Sequence, residues 1–158
     1  MIYILITIII TAADQLIKYF VSDSMMVGQT AFSVLNVFDI TYVQNRGAAF
    51  SMLSGKLSLL SVISIVFCIG VAVYWIRKKP KHPLLCTSLT MLFAGALGNG
   101  IDRIFRGFVV DYIRTLFIDF PVFNIADIGI TIGAALLVIY VIWFDREDKN
   151  AENSAESK

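Results

Sequence analysis

The chain has 158 residues, of which 58% are hydrophobic and 16% charged, with a net charge of +1. Soluble domains run at roughly 45–50% and 25% by the same measures, so the composition points to a membrane protein with room for one domain. A near-neutral charge implies no polyanionic partner, and no nucleic acid is expected.

Taken in chain order, the first predicted element is a helix over about 2–21, apolar except for Asp14 and Lys18. It lacks a positive leading region and is too long for the apolar core of a cleaved signal, so the chain is expected to keep it. Asp14 and Lys18 are spaced i, i+4, which suits an ion pair with a structural or supporting role, Lys18 snorkelling outward.

The segment Ser22 to Lys56 has a different texture. Phe32 to Val43 is rich in β-branched and aromatic residues with partial period-two alternation. It predicts two short strands after a turn at Gly28-Gln29, within a β segment of about 28–50. Lipid cannot satisfy open sheet edges, so these strands should form a small platform on the outer membrane surface. Asn45-Arg46-Gly47-Ala48-Ala49-Phe50 follows. Asn and Gly favour a turn here, and the small run would also let a substrate backbone pass closely.

Leu57 to Ile76 and Pro83 to Ile101 carry no charge and predict two spanning helices. Cys68 and Cys86 fall inside them without C-x-x-C spacing and read as free apolar thiols. Arg77, Lys78, Lys79 and Lys81 lie in the short link between these helices, which is expected to be cytoplasmic. With four helices in all, both termini then lie in the cytoplasm. The opposite loop carries Arg103, Arg106 and Arg114, so the charge bias is modest. His82 reads as a loop residue beside the basic run.

Small residues Gly95, Ala96, Gly98 and Gly100 near the end of the third helix favour a close helix neighbour. Asp102 to Phe120 has the length for a helical turn or two and a return. Pro121 stands at the entry to a fourth helix over about 122–144, where its missing N–H costs nothing. All three Glu residues fall in a polar tail, 146–158, expected to be cytoplasmic. The fold expected is thus an all-α membrane domain over 1–145: four transmembrane helices and a small extracytoplasmic β platform.

Asp111, in Val109-Val110-Asp111-Tyr112, and Asp127, opening the last apolar stretch, are the most informative residues. A carboxylate within a bilayer costs roughly 2.5–3.5 kcal/mol at a helix centre, so intramembrane ionisable groups mark function. Close helix approach would bring Asn99, Asp102 and Arg103 near Asn124 and Asp127, with Asp111 supplied by the loop. No Ser–His or Cys–His pair is available, no Glu precedes the tail, and no local spacing of metal ligands occurs. That leaves two aspartates sharing one proton and activating a water. No metal or cofactor is expected. Arg103 is placed to hold a substrate carbonyl or to orient the aspartates.

These residues carry a resemblance. Asp14-Gln15-x-x-Lys18, Asn45-x-Gly47-Ala48-Ala49, Gly95-Ala96-x-Gly98-Asn99-x-x-Asp102-Arg103, Gly107-x-Val109-Val110-Asp111 and Phe120-Pro121-x-Phe123-Asn124-x-Ala126-Asp127 together resemble the motif set of the lipoprotein signal peptidase (signal peptidase II) family. The resemblance covers nearly the whole chain except the tail. It implies a bacterial cytoplasmic-membrane aspartic endopeptidase, active at the extracytoplasmic face, that cuts diacylglyceryl-modified prolipoproteins before the lipidated cysteine. It implies Asp111 and Asp127 as the catalytic dyad. Asn45, Gly47, Asn99, Asp102, Arg103, Asn124 and Ala126 then surround substrate or dyad, and Asp14 with Lys18 forms the helix-one pair. It further implies membrane lipids as surroundings, globomycin-like inhibitors and a monomer.

Three positions depart from the family pattern: Tyr112 where Phe is usual, Gly100 for a larger apolar residue, and Ile128 where a small residue is common. They bear on packing and inhibitor fit. Two rival classes remain open: a proton-linked carrier subunit using Asp14, Lys18 and Asp127 as a relay, and a presenilin-like intramembrane protease. The polar residues cluster at one face, which disfavours the first, and the Gly-x-Gly-Asp signature of the second is absent.

Overall fold

The computed structural model describes residues 1–47 and 55–144. Ala48 and Ala49 of the small run, and the polar tail, lie outside the described residues. Four helices are long and apolar enough to cross a membrane: α1 (Ile2–Ser24), α2 (Leu57–Lys78), α3 (Pro83–Phe105) and α4 (Ile125–Trp143). Their outward faces are aliphatic. Ile8, Val66 and Ile142 are each more than half exposed, a surface that only lipid satisfies. The chain is a multi-pass membrane protein.

Helix α3 sits at the centre and packs against α1, α2 and α4. Its glycines make this possible. A Cβ at Gly95 would collide with the carbonyl oxygen of Ala126 in α4, and one at Gly98 would lie 2.6 Å from a carboxylate oxygen of Asp14 in α1. Gly100 faces the third neighbour, where a Cβ would come 3.2 Å from Cβ of Ser64 in α2. The departure at Gly100 is therefore a contact point for α2. On the facing helix Gly133 plays the same part, since a Cβ there would be 2.9 Å from the backbone nitrogen of Leu92. Close backbone approach of this kind drives helix association where lipid removes the hydrophobic driving force.

Three antiparallel strands, β1 (Thr30–Val34), β2 (Phe38–Asn45) and β3 (Val109–Thr115), form one sheet in the order β1-β2-β3. The β1–β2 hairpin turns at Leu35 and Asn36, both at positive φ, as a type I′ turn requires. Strand β3 was not among the expected elements; the segment after α3 was given a helical turn and a return. Gly107, at φ 78°, reverses the chain instead, and Val109-Val110-Asp111-Tyr112-Ile113 pairs along β2. Val21, Tyr42, Val110 and Tyr112 form the buried cluster that seats the sheet on α1.

Two further expectations are corrected. Helix α4 begins at Ile125, and Pro121 precedes it by a stretch that bridges to β3, Phe123 pairing with Ile113. Lys18 does not snorkel outward: it is fully buried and turned toward α3. His82 stands at the N-cap position of α3 without a side-chain capping bond, its ring packed on Tyr140 and Phe144 at centroid distances of 5.1 and 4.9 Å. Cys68 and Cys86 are free thiols, the first half-buried and the second buried.

Candidate active site

The site is built where β3, the end of α3 and the start of α4 meet. Asp111 stands in the middle of β3, opposite Val43 in the register with β2. It is 2% exposed, and its carboxylate accepts hydrogen bonds from the side-chain amides of Asn45 (2.9 Å) and Asn124 (2.6 Å). Burial pushes the Asp111 carboxyl up to about 7, and the charge of Asp127 adds to the shift.

Asp127 occupies the third position of α4. Asn124 is the N-cap, its side-chain oxygen accepting from Asp127 N at 3.0 Å, while the Asp127 carboxylate accepts from Asn124 N at 3.1 Å. This is a capping box in which the acid is Asp. The other Asp127 oxygen accepts from the side-chain amide of Asn99 at 2.7 Å. A helix N-terminus and two N–H donors meet at the Asp127 carboxylate, and each favours negative charge there. Asn124 thus serves both aspartates, its side-chain amide on Asp111 and its backbone on Asp127.

A cavity of about 670 Å³ opens over the two carboxylates, lined by Asn45, Asn99, Arg103, Asp111 and Asp127 on its polar side. Ile63 and Phe67 of α2, with Ile128 and Ile130 of α4, supply apolar wall. Arg103 donates from Nη2 to the carbonyl of Gly47 at 3.4 Å, and its Nε has no hydrogen-bond partner among the described residues. Gly47 N in turn donates to the Asn45 side chain at 2.9 Å, so Gly47 links Asn45 to Arg103.

Asp102 belongs elsewhere. Consecutive helical residues are about 100° apart, so Asp102 and Arg103 cannot face the same way. Asp102 is fully buried on the α1 side, paired with Lys18 at 3.1 Å and with Arg106 at 3.2 Å, and it accepts from Val110 N. Asp14 pairs with Lys18 at 2.9 Å and accepts from Ala126 N at 3.1 Å. Ala126 itself is fully buried against α3 and presents its backbone to Asp14, not its side chain to the cavity. Sequence reasoning counted Arg106 as a loop charge only, although its i, i+4 spacing from Asp102 signals this pair. It also left out Gln15 as a structural donor, which reaches Gly98 O at 3.0 Å. Tyr112 has a reason for its hydroxyl: the oxygen accepts from Ile125 N at 3.3 Å, at the first turn of α4. Burial holds that hydroxyl above its usual range.

Two carboxylates share one cavity at the edge of a helical membrane bundle, the pair of groups that peptidase chemistry of the aspartic type needs. The model for the family described as signal peptidase (SPase) II matches residues 6–143. A lipoprotein signal peptidase from Anoxybacillus flavithermus is 38% identical, over 99% of this chain and 95% of the relative. One from Staphylococcus aureus is 37% identical, over 94% and 93%. Among solved structures, a bacterial membrane enzyme obtained by the in meso method at 2.3 Å resolution matches with a TM-score of 0.83 at 38% identity, covering 89% of this chain and 87% of the other. The chain belongs to the signal peptidase II family.

Proposed function

We propose that Asp111 and Asp127 are the catalytic dyad of a membrane aspartic endopeptidase, with Asn45, Gly47, Asn99, Arg103 and Asn124 arranged around substrate and dyad. The protein removes signal peptides from diacylglyceryl-modified prolipoproteins, cutting before the lipidated cysteine. The observation that carries the reading is the double use of Asn124, which fixes the buried Asp111 carboxylate and the part-buried Asp127 carboxylate at one cavity.

The chemistry follows from the surroundings of each acid. Asp127, at the helix N-terminus, is the ionised partner and takes a proton from a water between the carboxylates as its oxygen attacks the scissile carbonyl. Asp111, held neutral by burial below about pH 7, donates its proton toward the carbonyl oxygen as charge develops there. Collapse of the tetrahedral species breaks the C–N bond. The proton on Asp127 goes to the leaving nitrogen, and a hydroxyl proton of the intermediate returns to Asp111. Arg103 lies in the same cavity with an Nε that has no partner among the described residues, suited to hold a substrate carbonyl.

The basic link Arg77 to Lys81 supports an orientation with both termini in the cytoplasm, the polar segment 146–158 on that side, and the site at the extracytoplasmic face of the bacterial cytoplasmic membrane. Residues 1–145 act as one peptidase domain and as a monomer. A globomycin-like cyclic peptide competes for the cavity over the dyad.

The deciding experiment is cleavage of a diacylglyceryl-modified lipobox peptide by the pure, detergent-solubilised enzyme. Asp111→Asn and Asp127→Asn should each abolish turnover in folded protein, with wild-type activity unaltered by EDTA. Wild-type-like cleavage by either variant overturns the dyad assignment.

A further inference from the structure

Lys18 is an ammonium with no exposure to solvent, and each of its three N–H groups has one acceptor. They are Asp14 Oδ2 at 2.9 Å, Asp102 Oδ2 at 3.1 Å and Asn99 Oδ1 at 2.9 Å. The two carboxylates it joins do something further with the backbone. Asp102 accepts the N–H of Val110 at 3.1 Å, the residue before Asp111. Asp14 accepts the N–H of Ala126 at 3.1 Å, the residue before Asp127. The third arm runs through a side chain. An ammonium can only donate, so the Asn99 atom facing Lys18 is the amide oxygen, and the amide nitrogen is left to reach Asp127 at 2.7 Å.

From this we infer that Lys18, with Asp14 and Asp102, forms a positioning clip that sets the separation and aim of the two dyad carboxylates. The inference rests on the dyad reading above and deepens it. Lys18 hydrogen-bonds neither dyad aspartate; it acts through the backbone on which each is mounted, through Asn99, and through its positive charge, which both carboxylates feel. Charged groups facing the clip are Asp14, Asp102 and Arg106, whose Nε pairs with Asp102 at 3.2 Å, so the cluster holds two anions and two cations. A neutral, fully bonded set of this kind resists rearrangement, because any lost partner leaves a buried charge unpaired. Side chains that must be held to within about 0.5 Å need supporting groups locked in this way.

A structural ion pair and a positioning clip make different predictions. Two carboxylates held close interact strongly, so their macroscopic titrations are pushed apart and the bell of kcat/KM against pH is broad. Loosening the clip weakens that interaction, and the bell narrows. The test compares Lys18→Met and Asp102→Asn with wild type, using the diacylglyceryl lipobox peptide and normalising to folded enzyme. Ser88→Ala serves as the stability control, since it loses a buried bond to Gly133 O at 3.0 Å at the other end of the α3–α4 seam. For Lys18→Met we expect kcat at least 30-fold lower, KM within threefold of wild type and a narrower bell. Asp102→Asn keeps the shape and an acceptor for Val110 N, and should lose at least fivefold in kcat with the same narrowing. It carries the test where Lys18→Met does not fold. Ser88→Ala should lower Tm with kcat and bell unchanged. A lowered Tm with unchanged kcat and bell in Lys18→Met or Asp102→Asn overturns the clip and leaves the dyad standing, provided that Asp111→Asn is inactive. Turnover by Asp111→Asn removes both.

Discussion

Asn124 and Asp127 grip one another across the first turn of α4, each side chain accepting the other's backbone N–H. A capping residue stabilises a helix by about 1 kcal/mol, but here the cap also carries the amide that holds Asp111. Asn124→Ala should therefore do two separable things. It should lower Tm by a few degrees, and reduce kcat at least 100-fold. Asn124→Ser, which restores a cap without the amide donor, should recover most of the Tm and little of the kcat. Recovery of kcat by serine would show that only the cap matters.

Arg103 is tested by changing shape at constant charge. Its guanidinium spans from Gly47 O toward the cavity, a reach and planarity that an ammonium lacks. Arg103→Lys should lose at least tenfold in kcat/KM, about 1.4 kcal/mol of transition-state stabilisation, with Tm little changed. Activity within twofold of wild type would make Arg103 a helix-end cation only.

Substrate lipidation should dominate recognition. The cavity wall is aliphatic and aromatic away from the carboxylates, and each buried CH₂ of an acyl chain contributes about 0.8 kcal/mol. Removing both acyl chains from the lipobox peptide is expected to lower kcat/KM by about 100-fold or more. Equal kcat/KM for the two peptides, measured in the same detergent, would refute this.

The raised Asp111 titration has a signed consequence for stability. With its carboxyl at about 7 in the fold and near 3.9 when unfolded, the folded state binds the proton more tightly. The stabilising contribution is complete below about pH 4 and is lost as pH rises through about 7. The Tm of the wild type should fall between about pH 5 and pH 8. Asp111→Asn, which cannot ionise, should lack that fall and melt higher than wild type at about pH 8, by about 3 °C or more. Wild-type kcat/KM should also decline above about pH 7 as Asp111 loses its proton. Parallel Tm profiles for the two proteins would argue against the shift.

The four spans were readable because apolar runs of membrane length with at most two charges leave few alternatives, and the first two strands because β-branched and aromatic residues alternate there. Strand β3 was hidden by its surroundings. Asp111 and Arg114 interrupt its apolar alternation, and its partner β2 is more than sixty residues away in sequence. Residue types along α3 could not say that Asp102 and Arg103 part company on either side of Asn99. That depends on which helices flank α3. Lys18 is the same kind of case: the spacing to Asp14 was visible, but not the missing side chain at Gly98 that lets the Asp14 carboxylate in.

Asp111 stands on a strand and Asp127 on the last helix among the described residues, sixteen positions later. A ribosome that has delivered α1 to α3 and the whole sheet has still made only Asp111 of the two carboxylates at the cavity. Asn124, the group that aims both, also arrives with that final helix. Synthesis order thus acts as the safety catch of this peptidase: a truncated chain can occupy the membrane, but it cannot hold both acids.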